Sequence, residues 1–513
     1  MNRSLARPVI VALLAASLYA WRRRAAAAPP HALEAEALLH LFSRAPPLPR
    51  DATRATAATI AAAATSRRPA HWPHCVPPEW SAKAWESPDG GAHALARLVP
   101  WVMARALGSA EFVLSEPTRG ARPLLRDASP WEAPLQQERR NVSIAQLLAS
   151  ESESLYYSGT LGEPATAHWR TEAILASLQP LDHLLLHDVP PLRKEEPQPP
   201  EGSGPAPANQ TTLRLWISSK GVASRTHYDK SHNVFTQLSG RKRVLLWPPS
   251  SLPELHLYPA IHAAYRQSQI PLRAASGTGP LPEAAMAHYP RASATLAGRT
   301  AADAAVAVEL LPGGCLYIPP YWAHAVLSVD ASVSLSSFST SWEQARWARS
   351  GWRMAPLGRF ASSRCSRARG SVILAQAFVA ALLPHISHGA YSSRTTRQFL
   401  MNLHTSRFAP LYDGKREAAS ELEELAACLA APPSQGDPER DPALRRRIDE
   451  FAQSVAALLT DMDPEWGRSF DHGIVTELAG DYVEELLGWA GSAGDAQGLL
   501  QLLATDDDAV SIL

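Results

Sequence analysis

Two histidines and an aspartate carry the most chemistry in this chain. His227 and Asp229 stand in Thr-His-Tyr-Asp, and His324 follows most of a domain later in Tyr-Trp-Ala-His. In an extended strand alternate side chains share a face, so His227 and Asp229 point one way and Tyr228 the other. Two imidazoles and one carboxylate gathered on one face form the donor set that holds a non-haem Fe(II) and leaves its far side open to an oxidant and a co-substrate. An isolated H-x-D pair is common, so its neighbours decide. The chain has 18 histidines, and His232, His256, His262 and His288 are read as surface or packing residues.

The neighbours read as consecutive strands. Thr212 to Ile217 alternates, Val234 to Leu238 is rich in β-formers, and Arg243 to Trp247 is a near-continuous apolar run stopped by Pro248-Pro249. Ser239-Gly240-Arg241 fits a hairpin turn between the last two. Lys242 shares parity with Val244 and Leu246, so it is expected to point into an apolar interior. A buried ammonium costs several kcal/mol unless it is neutralised or paired, roughly the scale of other unpaired buried charges. No acidic residue adjoins it in sequence. Either a small bound dicarboxylate supplies the counter-charge, or the side chain sits near a strand end and snorkels to water.

The run from His227 through Asp229, Asn233, Lys242 and Trp247 to Pro249, with the later Leu311-Pro-Gly-Gly-Cys-Leu-Tyr-Ile-Pro-Pro-Tyr-Trp-Ala-His324, resembles the JmjC/cupin-like Fe(II)- and 2-oxoglutarate-dependent oxygenases. It is most similar to their hydroxylase branch, typified by the asparaginyl hydroxylase that inhibits hypoxia-inducible factor. The resemblance spans roughly Leu155 to Phe338. It implies a double-stranded β-helix (jelly-roll) core with iron on His227, Asp229 and His324. It also implies 2-oxoglutarate held by Lys242, with Ser224 and Tyr156 reaching the same carboxylate, and Asn233 near the metal-bound end. At Ser337, before Phe338, the branch has asparagine; the serine is read as a changed contact to the co-substrate.

Composition bounds the remainder. The chain has 513 residues, 46% hydrophobic and 19% charged, enough for one large core and a smaller one. Its formal net charge is zero, which speaks against a nucleic-acid partner held by bulk electrostatics. Cys75, Cys315, Cys365 and Cys428 are far apart without a C-x-x-C pair, so no structural zinc module is expected. At the N-terminus, Arg3 and Arg7 precede an apolar stretch, Pro8 to Trp21, then Arg22-Arg23-Arg24. As a helix it would span about 21 Å, short of a hydrocarbon core of roughly 30 Å. It reads as a secretory signal, a marginal anchor or a transit segment, which points to the endomembrane system or an organelle. Asn141-Val-Ser and Asn209-Gln-Thr are sequons that matter only in the secretory pathway.

The expected architecture is α+β in three parts: residues 1–30 for targeting, 31–342 for the oxygenase domain and 343–513 for a helical C-terminal region. Within the second, 190–209 is too polar and proline-rich to pack, and 274–304 is an insertion between the metal strands. Helical stripes at Leu444, Ile448, Phe451, Val455, Leu458 and Leu459, and at Val475, Leu478, Tyr482, Val483, Leu486 and Leu487, mark core or a homodimer interface. The function these features imply is hydroxylation of a protein side chain, with succinate and CO2 as co-products. The alternatives are an N-methyl-lysine demethylase, an RNA-base hydroxylase of the same fold, or a cupin module that binds without turnover.

Overall fold

The computed structural model describes residues 30–51, 53–77, 80, 91–106, 138–150, 154–163, 166–179, 186, 210–262, 264–270, 289, 305–349, 363–386, 395–408, 417–433, 440–460, 472–488 and 493–505. The N-terminal stretch Pro8 to Trp21, the loop 190–209 and nearly all of the insertion 274–304 lie outside them. Two helices, α1 (Pro30–Arg44) and α2 (Ala57–Ser66), come first. The strands are β1 (Ala70–Trp72), β2 (Trp101–Ala106), β3 (Glu138–Ser143), β4 (Leu155–Thr160), β5 (Thr211–Ser218), β6 (His227–Tyr228), β7 (His232–Ser239) and β8 (Lys242–Trp247). After the segment 249–304 come β9 (Val306–Leu310), β10 (Cys315–Ile318), β11 (Ala323–Ser328) and β12 (Ser332–Ser339).

These strands form two antiparallel sheets, one ordered β1-β10-β7-β12-β5-β4-β2-β3 and the other β6-β11-β8-β9. Strand-by-strand parity separates three packed regions. Phe235, Val244, Leu246, Val308, Leu310, Leu316 and Ile318 face each other between the sheets and form the barrel interior. The opposite face of the large sheet, with Leu215, Ile217, Val234, Leu238, Tyr317, Val333 and Leu335, packs against α2 and the N-terminal tryptophans Trp72 and Trp80. The opposite face of the small sheet, with Tyr228, Leu245, Ala323, Ala325 and Leu327, packs against the C-terminal helices. A jelly-roll needs this alternation, because each strand must satisfy an inner and an outer core at once. Gly240, at φ +70°, makes the β7–β8 hairpin: a Cβ there would stand 2.1 Å from the Ala331 carbonyl oxygen.

The C-terminal region is helical. Four of its helices are α3 (Arg364–Leu382), α4 (Pro442–Thr460), α5 (His472–Gly488) and α6 (Ala493–Thr505). The expected stripes on α4 and α5 are spent inside this chain: Leu444, Ile448, Val455, Leu459, Val475, Leu478 and Leu486 lie in one core with α3 and the small sheet. All four cysteines are paired, Cys75 with Cys315 and Cys365 with Cys428, at Cα–Cα distances of 5.5 and 4.8 Å. Spacing gave no sign of either pair, because the partners are 240 and 63 residues apart. Two strands escape the sequence pattern as well. They are β2 and β3 in the N-terminal part of the chain, and Trp101 opens its strand with its ring partly in solvent.

Candidate metal centre

β6 and β11 are antiparallel neighbours with His227 opposite His324, so the two imidazoles meet across one rung of the ladder. Their ring centroids are 4.3 Å apart. Asp229 follows β6 on the same face, with Oδ2 3.7 Å from His324 Nε2. One ligand atom from each of the three residues falls within 4.8 Å of the others. Tyr228, between the ligands, points outward into the helical core.

Both histidines are pre-set as ligands. Nδ1 of His227 lies 2.8 Å from the Arg225 carbonyl, and Nδ1 of His324 lies 3.0 Å from the Trp322 carbonyl. A ring that donates Nδ1–H to a carbonyl keeps the Nε2 lone pair free and fixes the ring plane. Burial, reinforced by the facing His324, pushes His227 down to about 3, so the imidazole is neutral as coordination requires. Burial pushes the Asp229 carboxyl up, but His324, His227, Arg266 and Arg214 together outweigh it and hold the group below the usual range. The backbone locks the same residue. Tyr321, at φ +63°, donates its N–H to the Asp229 carbonyl at 2.8 Å, a strained conformation of the kind that concentrates at functional sites. Two nitrogens from buried imidazoles and one oxygen of the partly exposed Asp229 carboxylate fit a divalent transition metal.

The co-substrate residues divide. Lys242 opens β8 with its neighbours Val244 and Leu246 in the barrel interior, and it is only 3% exposed, so it does not snorkel. Its Nζ stands 5.1 Å from the Phe235 ring centre. Among the described residues no carboxylate pairs with it, and burial lowers its pKa to about 7. Asn233 shares the interior parity of Phe235, and its buried Oδ1 has no hydrogen-bond partner. Tyr156 is buried against Trp216, ring centres 6.0 Å apart, and burial raises its pKa. Ser224 bridges to β11, its N–H donating to the Val326 carbonyl and its Oγ accepting from the Val326 N–H at 2.9 Å. A buried lysine in an apolar interior is what one carboxylate of a small dicarboxylate would complete, whereas the Asn233 Oδ1 calls for a donor.

Ser337 does not belong to this group. It pairs with Leu213 and Val234, both on the outer side of the large sheet, and shares parity with Val333 and Leu335. The interior position is Ser336, whose Oγ accepts from Trp216 Nε1 at 2.8 Å. A slip of one residue on a strand exchanges faces, and motif position alone does not fix that register. Arg266 was not legible either. At φ +71° it brings Nη1 within 3.6 Å of Asp229 Oδ1, out of a loop with no motif of its own.

Residues 161–341 match the family model described as "Cupin-like domain". Three curated relatives align with about a quarter of the chain. The lysine-specific demethylase JMJ31 of Arabidopsis thaliana is 31% identical over 126 residues, 25% of this chain and 20% of the relative. The Jumonji C domain-containing protein 5 of Drosophila melanogaster is 29% identical over 124 residues, 24% of this chain and 26% of the relative. The lysine-specific demethylase JMJ30 of Arabidopsis thaliana is 28% identical over 130 residues, covering 24% and 25%. The aligned stretches thus span a fifth to a quarter of these proteins. The part of the chain that carries the His-Asp-His cluster thus matches a cupin-like domain and is similar to these Jumonji C and demethylase relatives.

Proposed function

We propose that this domain is an Fe(II)- and 2-oxoglutarate-dependent oxygenase that hydroxylates a side chain of a protein substrate. One observation carries the reading: a two-His-one-carboxylate cluster with both imidazoles buried shares the barrel interior with a buried lysine that no described carboxylate answers. Iron and 2-oxoglutarate together supply the oxidation, one oxygen atom of O2 going to a substrate C–H bond and the other to the co-substrate, which leaves as succinate and CO2. The protein's tasks are positional. His227, Asp229 and His324 would hold the iron by one face, with the Arg225 and Trp322 carbonyls fixing the imidazoles. Lys242 would take one carboxylate of 2-oxoglutarate, supported by the Tyr156 and Ser224 hydroxyls, and the Asn233 amide would face its other end. The apolar interior excludes water, which strengthens these charged contacts and protects the oxidation from side reactions.

Side-chain hydroxylation rests on the residues around the H-x-D motif alone, because the relatives carry Jumonji C or demethylase names and do not support the asparaginyl hydroxylase branch. Removal of an N-methyl group is the second reading, and the demethylase names of two relatives favour it. Both readings predict succinate formation by iron-loaded protein, abolished in Asp229→Ala. They part in the product: a substrate heavier by one oxygen atom, or one lighter by a methyl group. A protein that binds Fe(II) and 2-oxoglutarate but forms no succinate with any candidate peptide would be a binding module instead.

The two disulfides support a place for the protein in an oxidising compartment, which agrees with the arginine-flanked apolar stretch Pro8–Trp21. Thiol alkylation of the cellular protein before and after reduction tests this. Four thiols reactive without reduction would place it in a reducing compartment.

A further inference from the structure

Where β2 and β3 pair, the large sheet leaves apolar side chains in solvent beside an unused carboxamide. Val102 and Ala104 on β2 are buried in the outer core, which turns Trp101 and Met103 to the other face, where they are 39% and 42% exposed. The ladder with β3 places Asn141 opposite Met103, Ser143 opposite Trp101 and Val142 opposite the buried Val102. Directly paired residues share a face, so Asn141 and Ser143 stand beside the two apolar side chains while Val142 turns inward. Asn141 is exposed, and no hydrogen bond among the described residues holds its carboxamide. Ser143 is engaged as a helix cap: its Oγ accepts from the Gln146 N–H at 3.2 Å, and its own N–H donates to Gln146 Oε1 at 2.9 Å. β3 is also the last strand of the described sheet. An open strand edge invites pairing with other chains unless something bulky or charged blocks it.

We propose that Asn141 is a site of N-linked glycosylation and that the first sugar of its glycan covers Met103 and Trp101. The tripeptide Asn141-Val142-Ser143 meets the chemical requirement, a carboxamide two residues before a hydroxyl with no proline between them. The donor class is an oligosaccharide joined through its N-acetylglucosamine to a polyprenyl diphosphate. The Asn141 amide nitrogen forms a bond to the sugar's anomeric carbon and gives up one proton. The bond from that carbon to the diphosphate oxygen breaks, its electron pair leaves with the polyprenyl diphosphate, and nothing is oxidised or reduced. Transfer reaches the chain before β3 forms, so the fold has only to accommodate the product. It does: the Asn141 side chain leads into solvent, and Val142 supplies the packing of the strand from the other face. A sugar ring carries an apolar C–H face as well as hydroxyls. Laid on Met103 and Trp101, it takes apolar surface out of water while its polar rim stays wet. Trp101 is held in place by His168, whose ring stacks on it with centres 3.8 Å apart and 10° between the planes. The inference rests on the oxidising-compartment reading, because N-glycosylation and the two disulfides belong to the same surroundings.

The test uses the full chain, with its own N-terminus, produced in cells that have a secretory pathway. Releasing N-glycans with peptide-N-glycosidase in heavy-oxygen water leaves a labelled aspartate wherever a glycan stood. Peptide mass spectrometry should find that label at position 141. Asn141→Gln should lose it, and Ser143→Thr, which keeps both the tripeptide and the helix cap, should retain it. The cover is read separately, as the rate at which dilute peroxide converts Met103 to its sulfoxide. That rate should rise several-fold after glycan release and in Asn141→Gln. Met401 in the C-terminal region, 44% exposed, is the reference and should oxidise at an unchanged rate. An unlabelled position 141 in protein whose cysteines are paired would overturn the proposal and leave the compartment reading standing, even if Asn209 carried the label. An unlabelled position together with four alkylatable thiols would overturn both. A labelled position with equal Met103 oxidation before and after release would overturn the covering role.

Discussion

At the scale of single residues the site is a set of prepaid geometries. Each imidazole of the cluster is anchored through Nδ1, and Asp229 is held by a backbone hydrogen bond from a strained tyrosine. His227→Ala or Asp229→Ala should therefore abolish Fe(II) binding and succinate formation while the protein still melts cooperatively, because barrel packing rests on Val244, Leu246, Leu316 and their neighbours. Metal analysis and calorimetry on the same samples read both halves; wild-type iron content in either variant would refute the assignment. Lys242 makes a pH prediction. Burial holds its pKa at about 7 in the ligand-free fold, below the ordinary lysine value of 10.5. Between those values the unfolded chain holds a proton that the folded one has lost, so stability of the ligand-free protein should rise with pH across this window. Below it both states are protonated and the burial cost is fully felt. Binding of 2-oxoglutarate restores the charge, so at about pH 8 it should draw in close to one proton, absent in Lys242→Met. Calorimetry in buffers of different ionisation enthalpy measures that proton, and equal uptake in the variant would remove Lys242 from the pocket. Ser337 yields the opposite kind of prediction. Asparagine there would enter the packed outer core and should cost roughly 1–3 kcal/mol of stability without changing 2-oxoglutarate affinity.

At the scale of elements, the strand that carries His227 is braced from behind by α5. Tyr228 donates to Glu477 at 3.2 Å, Tyr265 donates to Asp481, and Lys230, one residue past Asp229, pairs with Asp481 at 3.4 Å. Arg407 lies at the centre of this buried group, 2.6 Å from Glu477, 3.0 Å from Asp481 and 2.7 Å from Glu484. Burial raises the Glu477 carboxyl and lifts Glu484 to about 7, in spite of the arginine. Three carboxylates without their cation would be left in a dry interface, so Arg407→Met should cost on the order of 3–5 kcal/mol. A thermal shift below about 1 kcal/mol would mean that the network is solvated and not a brace. The legible part of this scale was the strands and the two helical stripes, whose periodicity survives any packing. The brace was not legible, because no motif or periodicity brings Arg407, 1% exposed, to the acidic residues of α5.

At the scale of the whole molecule, the barrel and its flanks are tied by covalent bonds. Cys75–Cys315 fastens the N-terminal segment after β1 to β10, and Cys365–Cys428 fastens α3 to a neighbouring helix in the C-terminal region. Closing long loops restricts the unfolded chain, so losing either bond should cost about 2–4 kcal/mol. Cys365→Ser with Cys428→Ser should lower the melting temperature under oxidising conditions and make it insensitive to reductant if Cys75→Ser and Cys315→Ser are added. A wild-type melting temperature that ignores reductant would show the bonds absent in solution.

The sequence by itself determined the His-Asp-His grouping, the inward lysine, the central strands and the helical character of the C-terminal region. Each of these is a local or periodic property: parity places His227 with Asp229, and a run of β-formers places Lys242 with Val244 and Leu246. Tertiary structure decided the rest. Which face Ser337 takes depends on pairing with Leu213 and Val234. The cysteine pairing, Arg266 beside Asp229 and Arg407 among its carboxylates all join residues distant in sequence. No periodicity records such contacts, because the physical constraint lies in the space between elements and not along any one of them.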